Sequence, residues 1–312
     1  MQNLRELKGQ AVAQRILMRY LEVHPPPLLV LHGPEGTGRW SAAEAFVQQR
    51  LCEVGSGCGQ CGACRKLIRG DHPDFIRFPE ERTLIGDPDD PAEFTVRWLL
   101  RTRVIYTPFA GDMRFVLFPR ADLIHNEAET ALLKTLEDAP AHTRFVFLVR
   151  SIEELKPTIV SRSVLVPFRS LGASTLAELA GENSERELSV LGGSLKHLAM
   201  IKTPLFRELC EKLGQARQHP QALAELERWI KHGEKRGFGD LTGDVDFEFS
   251  ELLEVVGTVL LADSAAHKER GSVAEAVFEF KAGLHEEQAG AVPYLLGRLF
   301  WRLSAAYFPR AG

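Results

Sequence analysis

No stretch of this 312-residue chain holds the roughly 18 consecutive apolar residues that a membrane-spanning helix needs, which excludes that class of membrane protein. The opening residues Met1-Gln2-Asn3-Leu4-Arg5 also lack the apolar core of a secretory signal, so a cytoplasmic location is the expectation. Neither charge sign dominates: a net charge of −4 and a pI near 6.2 exclude a protein whose whole surface is a nucleic-acid glove. Any DNA contact is then local or shared with partners. Cysteine is scarce, with five in all, and in a reducing compartment these read as thiols or metal ligands and not as a disulfide framework. There is no internal repeat.

What the chain does hold is 45% hydrophobic content, enough for two or three domains with cores of their own. Four of its cysteines are clustered: Cys52, Cys58, Cys61 and Cys64. Two consecutive C-x-x-C steps bring sulfurs onto one centre, and four soft thiolates in a tetrahedral set are what structural Zn²⁺ prefers. Glycines at 55, 57, 59 and 62 permit the tight turns between them. An iron–sulfur cluster and a redox dithiol share this spacing and stay open as readings. The fifth, Cys210, lies in a helical region and reads as a buried, inert thiol.

Gly33-Pro34-Glu35-Gly36-Thr37-Gly38-Arg39-Trp40-Ser41 has the glycine frame of a nucleotide-binding loop without the residues that handle the nucleotide. A working loop carries Lys after the last Gly, for the β- and γ-phosphates, and then Ser or Thr, whose hydroxyl binds Mg²⁺. Arg39 and Trp40 stand there instead, and an indole has no oxygen for a hard cation. Arg39 is left to pair with a phosphate or with Glu35. A second lesion accompanies the first. The strand Phe115–Phe118, which in such folds ends in metal-binding acids, is followed by Pro119-Arg120, with Asp122 two residues on. Gly33, Gly36, Gly38 and Arg39 therefore outline a degenerate phosphate loop in which ATP is not expected to bind productively.

Hydrophobic periodicity predicts a helix over Leu7–Leu21 through Val12, Ile16, Leu17 and Tyr20, then a strand Leu28–Leu31, the glycine loop and a helix Trp40–Leu51. Further on come a short helix Arg65–Ile68, a strand Asp74–Phe78, a surface loop 79–91 and a helix Phe94–Ile105. The strand at Phe115, a helix Asn126–Glu137 and a strand Phe145–Val149 follow. Strands alternating with helices imply a mainly parallel α/β sheet covered on both faces. Beyond Phe168 the runs Thr175–Leu179, Glu185–Leu191, Pro204–Leu213, Gln221–Ile230, Phe249–Leu261, Ser272–Leu284 and Ala291–Tyr307 are helical by period, and Lys231–Asp246 reads as a long loop.

Several phrases together resemble the bacterial clamp-loader ATPase family of DNA polymerase III. These are the glycine loop, the four-cysteine insertion after its helix, Asp71-His72-Pro73-Asp74-Phe75, Thr130-Ala131-Leu132-Leu133-Lys134-Thr135-Leu136-Glu137-Asp138-Ala139-Pro140, and Leu155-Lys156-Pro157-Thr158-Ile159-Val160-Ser161-Arg162-Ser163. The last is close to the family's Ser-Arg-Cys motif, with Ser163 in place of Cys, and Gly192-Gly193-Ser194-Leu195-Lys196 is similar to its sensor-2 region. Arg150 lies near the place of the family's polar sensor-1 residue, and the first cysteine step is shorter than the family's.

The resemblance spans roughly residues 5–170 and implies an AAA+ P-loop domain over 1–168 with a zinc module at 52–64, a small helical lid over 169–203, and an all-α collar over 204–312 that assembles a pentamer. It also implies partners: a motor subunit (gamma or tau) and a delta subunit, with the sliding clamp and primed DNA reached through the complex. The damaged loop places the chain with the family's stator-type members, which offer the arginine of Ser-Arg-Cys to a neighbour's ATP. Arg162 matches that position. Two other readings stand beside it: a weak ATPase in which Arg39 replaces Lys, and a stand-alone zinc-containing DNA-binding protein.

Overall fold

A computed structural model describes residues 3–138, 140–181, 188, 191–242, 245, 248–264, 267–286 and 292–309. It divides into two compact units, residues 1–175 and 176–312.

In the first unit a 3₁₀ turn at Leu4–Glu6 precedes α1 (Ala11–Glu22), β1 (Leu28–His32), α2 (Arg39–Leu51), α3 (Gly62–Arg69) and β2 (Phe75–Arg77). α4 (Val96–Leu99) continues as a wider π turn through Val104; β3 (Arg114–Phe118), α5 (Asn126–Glu137), β4 (Thr143–Val149), α6 (Pro157–Val160) and β5 (Val164–Pro167) follow. All five strands are parallel, in the order β2-β3-β4-β1-β5. The period of two divides the strand residues between two cores. Leu29, Leu31, Phe115, Leu117, Val146 and Leu148 face Leu17 of α1 and Phe46 of α2. Leu28, Val30, Val116, Phe118, Phe145 and Phe147 face Val96, Leu99, Leu132, Leu136 and Ile159 on the other side. A sheet buried on both faces is what near-continuous apolar strands require.

The structure corrects several expected boundaries. α1 begins at Ala11, not Leu7, because Gly9 takes a positive φ and the side chain of Gln10 is drawn into the phosphate loop; Val12 then lies on the solvent side, 49% exposed. β5, unforeseen in the sequence, is an edge strand ending in Pro167, where a missing N–H costs nothing. β3 starts one residue early with Arg114, whose charged side chain is fully buried.

Among the described residues the further α-helices are α7 (Ala173–Ala180), α8 (Leu198–Ile201), α9 (Pro204–Ala216), whose Cys210 is half-buried and not enclosed as expected, α10 (Pro220–Arg236), α11 (Phe249–Ser264), α12 (Arg270–Glu286) and α13 (Val292–Tyr307). In the second unit α9 packs on α10, α11 on α12, and α13 on both α12 and α10. The expected helix at 185–191 falls largely outside the described residues. The expected loop from Lys231 is instead helix as far as Arg236. Gly233 lies against the Phe238 ring, which stacks at a tilt on Trp229 with centroids 5.1 Å apart, and Gly237 closes the helix at φ 73°. Lys196 of the sensor-2-like phrase is bound to Glu254 of α11 at 3.1 Å, alongside His197 at 3.3 Å; the His197 contact, with Lys196, holds Glu254 down to about 2.

Candidate functional site

In parallel α/β sheets ligands gather at the carboxyl ends of the strands, and the phosphate loop lies there, between β1 and α2. The glycine frame is required by the backbone whether or not a nucleotide binds. A side chain at Gly33 would run into the Phe168 carbonyl, and Gly38 holds a left-handed conformation (φ 96°) as the residue that starts α2. Thr37 donates its hydroxyl to Pro34 O at 2.6 Å. From behind, the buried Gln10 amide donates to Thr37 O at 3.2 Å and to Arg169 O at 2.6 Å, and accepts from Arg169 N at 3.0 Å. Gly36 takes φ 66° between these ties.

The side chains that would meet a nucleotide are engaged within the chain, one with a backbone carbonyl and the others in ion pairs. Arg39 donates to the backbone carbonyl of Val149, the last residue of β4, which also accepts from Gly33 N at 3.3 Å. Burial lowers the Arg39 pKa, and around it lie the opposing charges of Glu35 and Glu154, then Arg150 and Asp122. Past the end of β3, Arg120 and Asp122 form a two-pronged pair, Nε–Oδ1 at 3.0 Å and Nη2–Oδ2 at 2.7 Å, and that hydrogen bonding raises the Arg120 pKa. Arg150 pairs with Glu154 at 3.4 Å. Trp40 is half-buried against the core of α1 and α2, a packing role. Three guanidiniums and three carboxylates therefore occupy the ends of three adjacent strands. With three charges of each sign the set offers no net positive charge to a triphosphate, and the acid after β3 already has a cation.

Arg162 lies elsewhere, just past α6 and before β5. It is exposed, and its Nη2 reaches Glu137 Oε1 at 2.6 Å while Nη1 donates to Thr158 O at 3.1 Å and Ser161 Oγ at 3.4 Å. Ser163 turns its hydroxyl to Val160 O at 2.9 Å.

The four clustered cysteines do converge. Their sulfurs all lie within 4.8 Å of one another, with Cys52 Sγ 3.7 Å from that of Cys58 and 3.9 Å from that of Cys61. A tetrahedron with Zn–S bonds of about 2.3 Å has sulfur–sulfur edges of about 3.8 Å, so the set fits a metal such as zinc. Cys52 ends α2 and Cys61 caps α3, so the cluster ties two helix ends together. The Cys61 and Cys64 amides donate to the preceding sulfurs of Cys58 and Cys61, each at 3.4 Å. Burial opposes the Cys52 thiolate, but hydrogen bonds from Cys58 and Val54 outweigh it and bring its pKa down to about 6; burial pushes Cys64 up to about 12. His72 is apart from this set. Its Nδ1 accepts from Asp74 N at 3.1 Å, a turn contact, and burial lowers its pKa.

Sequence reasoning missed the buried pair of Asp74 and Arg114, 3.4 Å apart with both side chains fully enclosed. Asp74 also accepts from the Phe109 and Ala110 amides at 2.8 and 2.7 Å, and Arg114 donates to the carbonyls of Arg103, Tyr106 and Thr107. The aspartate of His-Pro-Asp was visible in the sequence, but nothing marked its partner.

The sequence profile described as "DNA polymerase III, delta subunit" matches residues 14–172, more than half of the chain. The chain belongs to this family. Among curated members of the surrounding group, DNA polymerase III subunit delta' of Pseudomonas aeruginosa is 29% identical over 214 residues, covering 65% of this chain and 61% of that protein. Subunit gamma/tau of Mycobacterium bovis is 30% identical over 158 residues, covering 50% of this chain and 26% of the relative. The match thus spans less than two thirds of either relative. A gamma subunit-related protein from Thermotoga maritima shares the fold, with a TM-score of 0.52 at 14% identity, covering 94% of this chain and 99% of that one. Delta-subunit-family membership and the parallel sheet agree with the clamp-loader resemblance. No helix among the described residues is long and apolar enough to cross a membrane.

Proposed function

We propose that this chain is a non-catalytic, stator-type subunit of a DNA polymerase III clamp loader, of the delta' kind, working in the cytoplasm. It holds no ATP productively and supplies Arg162 in trans to the ATP of a neighbouring motor subunit of gamma or tau type. The observation that carries this reading is the set of charges at the strand ends, with Arg39 held on the Val149 carbonyl near Glu35, Arg120 paired with Asp122 and Arg150 paired with Glu154, where a working site holds a lysine, a hydroxyl and metal-binding acids. A subunit so disarmed contributes through its surface, and Arg162 is an exposed guanidinium on the family's matching motif. Assembly with a delta subunit, and through the complex with the sliding clamp and primed DNA, belongs to the same reading. So does the division of the helical part into a lid to residue 203 and an oligomerising collar from residue 204. The test is to assemble the chain with motor and delta subunits and compare ATP hydrolysis with that of an assembly carrying Arg162→Ala.

In the same reading Cys52, Cys58, Cys61 and Cys64 hold a structural Zn²⁺, whose four-sulfur shell leaves no position for water and so serves as a clip and not a catalyst. Native mass spectrometry is expected to find one zinc per chain. Cys61→Ser should lose it, and acidification should release it because protonated thiols do not bind. Iron in place of zinc, or full-strength zinc binding by the variant, would contradict the assignment.

A further inference from the structure

Glu137 is the last residue of α5, and its position is electrostatically poor for the helix. Glu127 and Glu129 sit in the first turn, where the helix dipole favours an acid; a carboxylate in the last turn is disfavoured. What Glu137 gains there is Arg162, whose Nη2 it accepts at 2.6 Å. With Nη1 on Thr158 O and Ser161 Oγ, the guanidinium is docked on its own chain by three acceptors drawn from two separate elements, the end of α5 and α6 with the turn after it. The side chains of Arg162 and Glu137 are 38% and 50% exposed, so the pair is reachable by a neighbouring molecule and weak enough to be opened.

We propose that Glu137 is a positioning residue that parks Arg162 against α5 until the triphosphate of a neighbouring subunit competes it away. This rests on the trans-arginine reading above. Parking has two consequences. The long side chain is held near one place and not spread over its rotamers, and its charge is offset until a group of higher negative charge arrives. Because only chains with Arg162 released can engage the nucleotide, the apparent affinity for ATP is reduced by the released fraction.

The experiment uses the assembled loader, with ATP hydrolysis measured across ATP concentration. Glu137→Gln is expected to lower KM by about 1.5- to 5-fold, the range of an exposed ion pair, with kcat and the melting temperature unchanged. Binding of a fluorescent non-hydrolysable ATP analogue should tighten by the same factor, and that gain should vanish when Glu137→Gln is combined with Arg162→Ala. Unchanged KM and analogue affinity in Glu137→Gln, while Arg162→Ala abolishes hydrolysis, would overturn parking and leave the trans arginine standing. So would a gain that persists in the double variant. Hydrolysis unaffected by Arg162→Ala would overturn both.

Discussion

Arg162→Ala in an assembled loader is expected to slow hydrolysis at the neighbouring ATP by about 10³- to 10⁵-fold, the range an arginine delivered in trans contributes to phosphoryl transfer. The physical reason is charge: negative charge spreads over the transferring phosphoryl oxygens, and a guanidinium that reaches them stabilises it without reorganising. The variant is well suited to the test because Arg162 is exposed and supports no core; its contacts are a surface carboxylate, a carbonyl and a hydroxyl. Folding and assembly should survive. Arg162→Lys should fall between the two, since an ammonium keeps the charge but loses the planar fork. Steady-state ATPase rates with DNA present measure it, and a rate within twofold of the parent would refute the role.

Asp74→Ala is expected to destabilise the sheet-bearing unit by about 3–5 kcal/mol, because it strands the enclosed Arg114 charge and removes the acceptor of two backbone amides. For a unit of this size that is a fall of about 6–20 °C in melting temperature. Burial already lowers the Arg114 pKa, a sign of how poorly the site tolerates an unpaired cation. Replacing both partners with apolar residues, Asp74→Leu with Arg114→Met, should recover part of the loss, since the penalty lies in the orphaned charge more than in the missing pair. Denaturant unfolding of the parent, the single and the double variants checks this. A single variant as stable as the parent would show that Arg114 finds another partner.

Much of the first unit was legible because its strands are short apolar runs flanked by turn residues. Leu28–Leu31, Phe115–Phe118 and Phe145–Val149 all lie within observed strands, and Asn126–Glu137 is a helix with the bounds its period implies. What escaped was decided by tertiary contact. β5 is four residues of an edge ending in proline, too short for a period, and it exists because it pairs with β1. Arg114 reads as a strand-boundary charge until the fold encloses it with Asp74, forty residues earlier in sequence. α10 runs on through a polar, glycine-bearing stretch because Phe238 folds back over Gly233. At the site, residue types alone exposed the missing lysine, hydroxyl and acids, and the cysteine spacing anticipated the convergence of four sulfurs. The sequence did not disclose that Arg39 reaches across to a β4 carbonyl, that Arg120 engages Asp122, or that Glu137 holds Arg162. Each of these pairings depends on the geometry of strand ends and turns.

The most direct measurement of the central claim is a calorimetric titration of the isolated chain with ATP and Mg²⁺. Arg39 held on the Val149 carbonyl and the ion pairs past the ends of β3 and β4 predict no saturable binding below about 1 mM and no phosphate release. A micromolar dissociation constant with magnesium-dependent hydrolysis would contradict the account.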